Sequence, residues 1–136
     1  MSFDVILQHV GEAGDSVARV CTSKRKIQEG GTQVMGGTNN CELNITYNYS
    51  EYYHEIFPVK YNQVGNGTIT TETTGLRWLS YKTGAEAIPI LEECVQRLGT
   101  KRHEDYWKPT SGNAGYALNI LLEWSREVPS AQFVVY

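Results

Sequence analysis

The chain has 136 residues with a formal net charge of −3, 40% apolar residues and 20% charged residues. This length fits a single domain with a hydrophobic core, and the balance of residues excludes a disordered chain. The lack of a positive excess disfavours binding to nucleic acid, and no apolar run is long enough to span a bilayer.

The three cysteines, Cys21, Cys41 and Cys94, lie far apart in the sequence. Their odd number and wide spacing match neither a disulfide framework nor a CxxC metal or redox motif. We therefore expect reduced thiols and no bound metal or cofactor. The first residues lack the basic and apolar regions of a signal peptide, so we expect the protein to remain in the cytoplasm where it is made.

Alternation of apolar and polar residues predicts the strands of the first part of the chain. Residues 3–10 alternate up to Gly11 and predict a first strand, and residues 17–22 predict a second, shorter one. Basic and glycine-rich stretches indicate loops, so we interpret residues 11–40 as a decoration of the domain. Residues 41–47 alternate again and predict a further strand near the centre of the sheet.

A short aromatic helix and a hairpin are predicted next. Ser50 is the predicted N-cap of the helix, and Pro58 ends it. Residues 59–74 hold Gly65-Asn66-Gly67 between Thr- and Val-rich arms, which predicts an exposed hairpin added to the domain.

Two longer helices are predicted in the second half of the chain. Thr83 and Glu86 have the spacing of a capping box at the start of the first, Gly99 closes it, and Pro89 predicts a kink or a later start. Its predicted apolar face consists of Ala85, Ile88, Leu91, Val95 and Leu98.

The terminal helix is predicted from the three- and four-residue spacing of its apolar residues. They are Ala114, Ala117, Leu118, Leu121, Leu122 and Trp124. Tyr116 and Ile120 widen this face, which leaves a polar stripe of Gly115, Asn119, Glu123 and Arg126. A final strand follows Pro129. Together these elements predict one α+β domain over residues 1–136, in which a mostly antiparallel sheet carries two main helices on one face and an exposed hairpin.

Three segments of the chain resemble a known family in their order and spacing. They read LNITYNYSEYYHEIF, GLRWLSYKTGAEAIPILEECVQRLG and DYWKPTSGNAGYALNILLEWSREVPSAQFVV. They are similar to small, functionally uncharacterised proteins of bacteriophages and prophages that share N-I/M-T-Y-N, G-I/L-R-x-L with TG, and N-G-W-G or G-N-A-G before a terminal helix and strand. The resemblance covers about two thirds of the chain. It implies a phage origin and a location in the host bacterial cytoplasm, and it implies no activity.

The densest candidate binding segment contains tyrosines and asparagines, namely Asn44, Tyr47, Asn48, Tyr49 and Tyr52. Tyrosine rings can stack on a nucleobase while asparagine amides hydrogen-bond to its edges, so the segment predicts a wall of a nucleotide pocket. In the alternative interpretation, the tyrosines pack at the edge of the sheet and the asparagines shape a turn.

The start of the terminal helix is the predicted anion-binding part of the site. Small residues there let backbone N–H groups approach a phosphate. In the alternative interpretation, Ser111 or Asn113 caps the helix, and Gly112 and Gly115 allow a tight turn or close packing. Arg77 could bind a phosphate or instead pair with Glu72 or Glu86. The predicted residues of this part are Arg77, Trp107, Lys108, Ser111, Gly112 and Asn113.

These features favour a non-enzymatic phage protein that binds a small anionic molecule, most sharply by sequestering a nucleotide-derived immune signal of the host. A second hypothesis is a protein-binding inhibitor of a host defence factor, or an assembly subunit, that docks through the hairpin and the aromatic face. A third is a nucleotide-processing enzyme with His54 or His103 as general base. We expect a homo-oligomer with no membrane partner.

Overall fold

The computed structural model describes residues 2–10, 16–21, 41–64 and 69–136. In chain order, the strands and α-helices within these ranges are β1 (Ser2–Val10), β2 (Ser16–Val20), β3 (Glu42–Thr46), α1 (Ser50–Ile56), β4 (Lys60–Val64), β5 (Ile69–Thr73), α2 (Gly84–Leu98), α3 (Ser111–Glu127) and β6 (Gln132–Val135). Short 3-10 helices at Tyr47–Tyr49 and Gly75–Leu79 precede α1 and α2. The predicted α+β class is confirmed.

β1 is the central strand of an antiparallel four-stranded sheet. β6 pairs with one edge of β1, where Val5 lies opposite Val135. At the other edge, the N–H of Leu7 donates to the carbonyl of Cys41 at 2.9 Å, and the carbonyl of Leu7 accepts from the N–H of Cys21 at 2.9 Å. Since the two polar groups of one residue point to the same edge of a strand, β2 and β3 lie end to end along β1.

β2 and β3 therefore continue one another, with residues 22–40 inserted between them. Cys21 and Cys41 both lie opposite Leu7, and the N–H of Cys41 donates to the carbonyl of Cys21 at 2.8 Å. The predicted second strand is confirmed. The described part of the predicted decoration, 16–21, belongs to the sheet, whereas residues 22–40 lie outside the described residues.

The predicted alternation of β1 is confirmed in the burial of its side chains. Phe3, Val5 and Leu7 are at most 5% exposed, whereas Asp4 is exposed to solvent. Successive side chains of a strand point to opposite faces, so the apolar face of the sheet lies in the core. The same core contains the inner residues of β3 and β6 and the buried residues of α3.

The predicted hairpin is confirmed as an antiparallel pair. Lys60 lies opposite Thr73 and Val64 lies opposite Ile69, so β4 and β5 form a two-stranded sheet of their own. The predicted turn at its tip falls on 65–68, outside the described residues.

α2 begins at the predicted capping box. The Thr83 hydroxyl accepts from the N–H of Glu86 at 3.2 Å, and the Glu86 carboxylate accepts from the N–H of Thr83 at 3.1 Å. The helix runs through Pro89 to the cap at Gly99, so the predicted later start is wrong. Pro89 and Ala85 are both exposed, which allows water to serve the Ala85 carbonyl that Pro89 leaves without a donor.

The buried face of α2 is rotated by one residue from the predicted face. Its buried residues are Gly84, Ala87, Leu91 and Cys94, whereas Ala85 is exposed and Ile88, Val95 and Leu98 are half-buried. Gly84 explains the rotation, because a Cβ there would lie 2.9 Å from the carbonyl oxygen of Val128. The smallest residues of the helix thus allow the closest approach, and the larger apolar residues cover its flank.

α3 packs against α2, and the six apolar residues that define its predicted face are buried, whereas Tyr116 and Ile120, predicted to widen that face, are half-buried. Gly115, which the sequence assigns to the polar stripe, is also buried, because its missing Cβ makes room for the carbonyl of Gly99.

α1 has no side-chain cap, and Ser50 is its first residue rather than its N-cap. Within the described residues, no helix has both the length and the apolar character that a membrane crossing requires.

Candidate functional site

Four side chains from the Tyr47–Tyr49 turn and α1 hold the loop that precedes α3 and the first turn of α3, and we call them the anchor residues. The donors and their carbonyl acceptors are Asn48 to Trp107 (2.8 Å), Tyr49 to Tyr106, Tyr52 to Pro109 (3.3 Å) and Tyr53 to Ala114 (3.1 Å). All four acceptors are main-chain oxygens. The structure therefore brings the tyrosine-rich segment and the start of α3 together, but it does so through structural hydrogen bonds.

Tyr49 and Asn113 are buried, at 1% and 3% exposure, so neither can touch a ligand in an open site. Burial raises the pKa of the Tyr49 phenol to about 12, with smaller contributions from Asp105 and Tyr106, which keeps its hydroxyl a hydrogen-bond donor. The predicted stacking role of Tyr49 and the predicted ligand role of Asn113 are not compatible with these positions.

The side chain of Asn113 fixes the shape of the loop. Its Oδ1 accepts from the N–H of His103 at 2.9 Å, and its Nδ2 donates to the carbonyls of Asp105 (3.1 Å) and Lys108 (2.9 Å). These three bonds engage both the oxygen and the nitrogen of the amide. Lys108 itself is exposed, and its side chain lines neither of the clefts described below.

Asn44 also has a structural position. It is 8% exposed, and its Nδ2 donates to Ser2 Oγ at 2.6 Å and to Asp4 Oδ1 at 2.8 Å. Because Asn44 lies opposite Asp4 in the pairing of β3 with β1, these bonds join neighbouring strands. Asn44 lines neither cleft and is removed from the candidate site.

Arg77 and Tyr47 form a separate cluster with Phe3. The guanidinium lies 4.8 Å from the centre of the Phe3 ring and 5.8 Å from that of Tyr47, and it donates to the Tyr47 hydroxyl at 3.2 Å. Neither Arg77 nor Tyr47 lines either of the two clefts described below. The described contacts of Arg77 are therefore with Phe3 and Tyr47 rather than with the start of α3.

The first cleft lies between α1 and the loop and has a volume of about 250 Å³. It is lined by Asn48, Glu51, Tyr52, Glu55 and Pro109, and we call it the acidic cleft. Glu51 and Glu55 are both exposed and, being four residues apart on a helix, they face the same side. Neither carboxylate has an ion-pair partner among the described residues.

Trp107 lies next to this cleft and is 47% exposed. Its indole stacks on Tyr106 with ring centres 5.7 Å apart and an angle of 24°. The backbone N–H of Trp107 donates to Asp105 Oδ1 at 3.1 Å, and its carbonyl accepts from Asn48. These two bonds fix the backbone of Trp107 beside Asn48, a residue of the cleft, and the ring contact with Tyr106 orients the exposed indole.

The second cleft lies between the end of α2 and the start of α3 and has a volume of about 290 Å³. It is lined by Leu98, Gly99, Lys101, Arg102, His103, Thr110, Ser111 and Gly112, and we call it the basic cleft. Arg102 is held 4.8 Å from the centre of the Tyr116 ring. The two clefts flank one loop, since the consecutive residues Pro109 and Thr110 line one cleft each.

Thr110 caps α3, so the predicted capping by Ser111 or Asn113 is wrong. Its hydroxyl accepts from the N–H of Asn113 at 3.1 Å, and its carbonyl accepts from the N–H of Ala114 at 3.1 Å. The N–H groups of Ser111 and Gly112 have no acceptor among the described residues. They lie in the first turn of the helix, where backbone donors have no intrahelical partner.

Gly112 does not serve the approach of an anion in the predicted way. A Cβ at Gly112 would overlap the carbonyl oxygen of Lys101. The glycine is therefore needed for the close passage of the chain that enters the loop from α2, and one side of Gly112 is covered by protein.

Sequence reasoning did not assign Glu51, Glu55, Lys101 or Arg102 to a site, and it considered His103 only as a general base. Glu51 and Glu55 have a four-residue spacing that would place them on one face of the short predicted helix. Lys101, Arg102 and His103 form a basic run in the linker between the predicted helices. Both signals are visible in the sequence, but only the structure shows that each group borders a concave surface.

The two histidines named as candidate general bases each have a hydrogen-bond partner among the described residues. His54 Nδ1 lies 2.9 Å from the Thr74 hydroxyl, and His103 Nδ1 accepts from the N–H of Asp105 at 3.0 Å. Within the same part, no group of three His, Cys, Asp or Glu side chains is placed to hold a metal ion.

The resemblance to phage proteins stays a prediction from the three sequence segments. Comparison of the chain with protein-family models, with curated proteins and with solved structures found no match.

Proposed function

We propose that the protein is a non-enzymatic binding protein for a small anionic molecule and that the basic cleft holds the anion. The observation that carries the proposal is the set of three basic residues, Lys101, Arg102 and His103, that line a single cleft. A phosphate group accepts hydrogen bonds from lysine and arginine side chains, and these charge-assisted bonds are the strong ones.

The start of α3 adds to this positive character. The N–H groups of its first turn and the positive end of the helix dipole lie at Ser111, which lines the same cleft. The hydroxyl of Thr110 serves as the helix cap, so the Ser111 hydroxyl and N–H are the groups of this turn that are available to an anion.

The volume of about 290 Å³ suits a small ligand, at the lower end of ordinary ligand pockets. In its sharpest form, the proposal is that the protein sequesters a nucleotide-derived immune signal in the cytoplasm of the bacterial host of a phage. Sequestration requires binding without turnover. The phage resemblance in the sequence motivates this form of the proposal.

We further propose that the protein acts as a homo-oligomer. The basic cleft is open to solvent along the surface, and a second copy would add walls to it. Light scattering coupled to size-exclusion chromatography measures the mass in solution, and a mass of one chain would reject this part of the proposal.

Isothermal titration calorimetry against linear and cyclic nucleotides and inorganic phosphate tests the proposed function. We expect at least one of these anions to bind, and we expect the double variant Lys101→Gln/Arg102→Gln to bind it at least about tenfold more weakly, which corresponds to about 1.4 kcal/mol. Lys108→Gln is the control, because Lys108 is exposed nearby but lines neither cleft.

Circular dichroism establishes that each variant is folded. Absence of binding to every member of the panel by the folded protein would reject the proposal. An equal loss of affinity in Lys108→Gln would move the site away from the basic cleft.

A further inference from the structure

We propose that the acidic cleft binds an arginine side chain that a protein partner presents. The cleft is lined by two exposed carboxylates, Glu51 and Glu55, and neither is paired with a cation among the described residues. This site is separate from the basic cleft, and the inference does not depend on the proposed function.

The spacing of the carboxylates fits one planar cation. Side chains four residues apart on a helix are neighbours, and two like charges at this spacing repel each other. A guanidinium has five N–H donors in a rigid fork, so it can serve both Glu51 and Glu55. A cation shared between them therefore removes a repulsion and forms charge-assisted hydrogen bonds at the same time.

The rest of the cleft favours arginine over lysine. The Tyr52 ring and Pro109 supply flat apolar surface, and Trp107, whose indole is exposed, is joined to the cleft through the bond from Asn48 to its carbonyl. A guanidinium stacks on aromatic faces, whereas a lysine ammonium is compact and more strongly hydrated. These surfaces are already fixed, because the Tyr52 hydroxyl donates to the Pro109 carbonyl and Asn48 donates to the Trp107 carbonyl.

The size of the cleft and the contact area around it favour a side chain within a protein over a free amino acid. The α-ammonium and α-carboxylate of free arginine have opposite charges, so the charge of the cleft does not decide between the two. A volume of about 250 Å³ accommodates one side chain. The Trp107 indole outside it provides contact area for the residues on either side of the arginine, as an aromatic anchor does at protein interfaces.

Nuclear magnetic resonance titration with a short blocked peptide tests the proposal. The probe is acetyl-Gly-Gly-Arg-Gly-Gly-amide, and the matched control is the same peptide with neutral citrulline in place of arginine. The chain has three tryptophans, so the indole signals of Trp78 and Trp124 serve as internal references for Trp107. We expect a saturating shift of the Trp107 indole with the arginine peptide and at least about tenfold weaker binding of the citrulline peptide.

The double variant Glu51→Gln/Glu55→Gln removes the carboxylates while it keeps their size. We expect it to bind the arginine peptide at least about tenfold more weakly. Glu92→Gln/Glu93→Gln removes two exposed carboxylates from α2 that do not line the cleft, and it should leave the affinity unchanged.

Three results would each overturn the proposal. They are the absence of a selective Trp107 shift with the arginine peptide, equal affinity for the citrulline peptide, and unchanged affinity in the folded Glu51→Gln/Glu55→Gln variant. A nucleotide titration of the same samples is scored separately at the basic cleft, so failure of one proposal is distinguished from failure of the other.

Discussion

At the scale of single residues, the three asparagines of the predicted binding site have three different roles. Asn44 joins two strands, Asn48 lies on the surface at a cleft, and Asn113 is buried with bonds to both the oxygen and the nitrogen of its amide. The sequence could not separate these roles. The partners that decide them, such as the Trp107 carbonyl for Asn48, come from distant parts of the chain and meet only after folding.

Replacement of Asn113 by alanine should destabilise the protein strongly. It leaves the His103 N–H and the carbonyls of Asp105 and Lys108 without their partners, so we expect a loss of about 2–3 kcal/mol in the free energy of unfolding. Asn48→Ala removes a single hydrogen bond at an exposed position, and we expect a loss below about 1 kcal/mol. Urea unfolding of both variants measures the difference, and equal losses would contradict this role of Asn113.

At the scale of elements, periodicity predicted which segments are strands and which are helices, whereas the closeness of their packing depended on glycines. The alternation of β1 and the apolar spacing of α3 were sufficient because one face of each is covered by the core. The face of α2 was predicted one residue away from its true position. Sequence patterns weigh residues by hydrophobicity, but the buried face of this helix includes Gly84 and Ala87, which have little apolar surface.

The close contact between Gly115 of α3 and the carbonyl of Gly99, just after α2, gives the prediction at this scale. In Gly115→Ala, the added Cβ overlaps the carbonyl oxygen of Gly99, a backbone atom that cannot rotate away. We expect a loss of about 1–3 kcal/mol in the free energy of unfolding, although alanine favours a helix over glycine by about 1 kcal/mol.

Asn119→Ala is the control for this substitution, because Asn119 is half-buried on the same helix. Because alanine has a higher helix propensity than asparagine, the free energy of unfolding should stay unchanged or rise by up to about 0.5 kcal/mol. Chemical denaturation of both variants is the measurement. A Gly115→Ala protein as stable as the parent would show that α2 and α3 can separate without cost.

At the scale of the whole molecule, the sequence predicted the fold class but not the clefts. An α+β domain follows from the order of the elements and their periods. Each cleft arises where parts of the chain that are separate in sequence meet, α1 with Pro109 in one case and the end of α2 with Thr110 in the other. The anchor residues that make this meeting possible are tyrosines, which a sequence pattern assigns equally well to stacking on a ligand.

The end-to-end placement of β2 and β3 predicts that residues 22–41 can be removed without loss of the fold. Val20 lies opposite Gln8, Cys21 opposite Leu7 and Glu42 opposite Ile6, so joining Cys21 to Glu42 preserves the register. Because stability changes slowly with loop length, we expect cooperative unfolding with a free energy within about 1–2 kcal/mol of the parent.

A deletion that is one residue longer, 22–42, provides the control. It shifts the register by one position, so the side chains of β3 that face the core would face outward and the reverse. We expect this variant to fail to fold, as judged by circular dichroism and by the chemical-shift dispersion of its amide protons in nuclear magnetic resonance spectra. Equal behaviour of the two deletions, folded or unfolded, would contradict the continuity of β2 and β3.

The anchor residues have one more consequence, which concerns how the protein can evolve. Their acceptors are the main-chain oxygens of Tyr106, Trp107, Pro109 and Ala114, and every amino acid supplies such an oxygen. Mutations at Trp107 or Lys108 therefore change the chemistry displayed by the loop without removing the bonds that hold it. If selection favours a changed target, the side chains on this part of the surface can therefore change while the fold beneath them is kept.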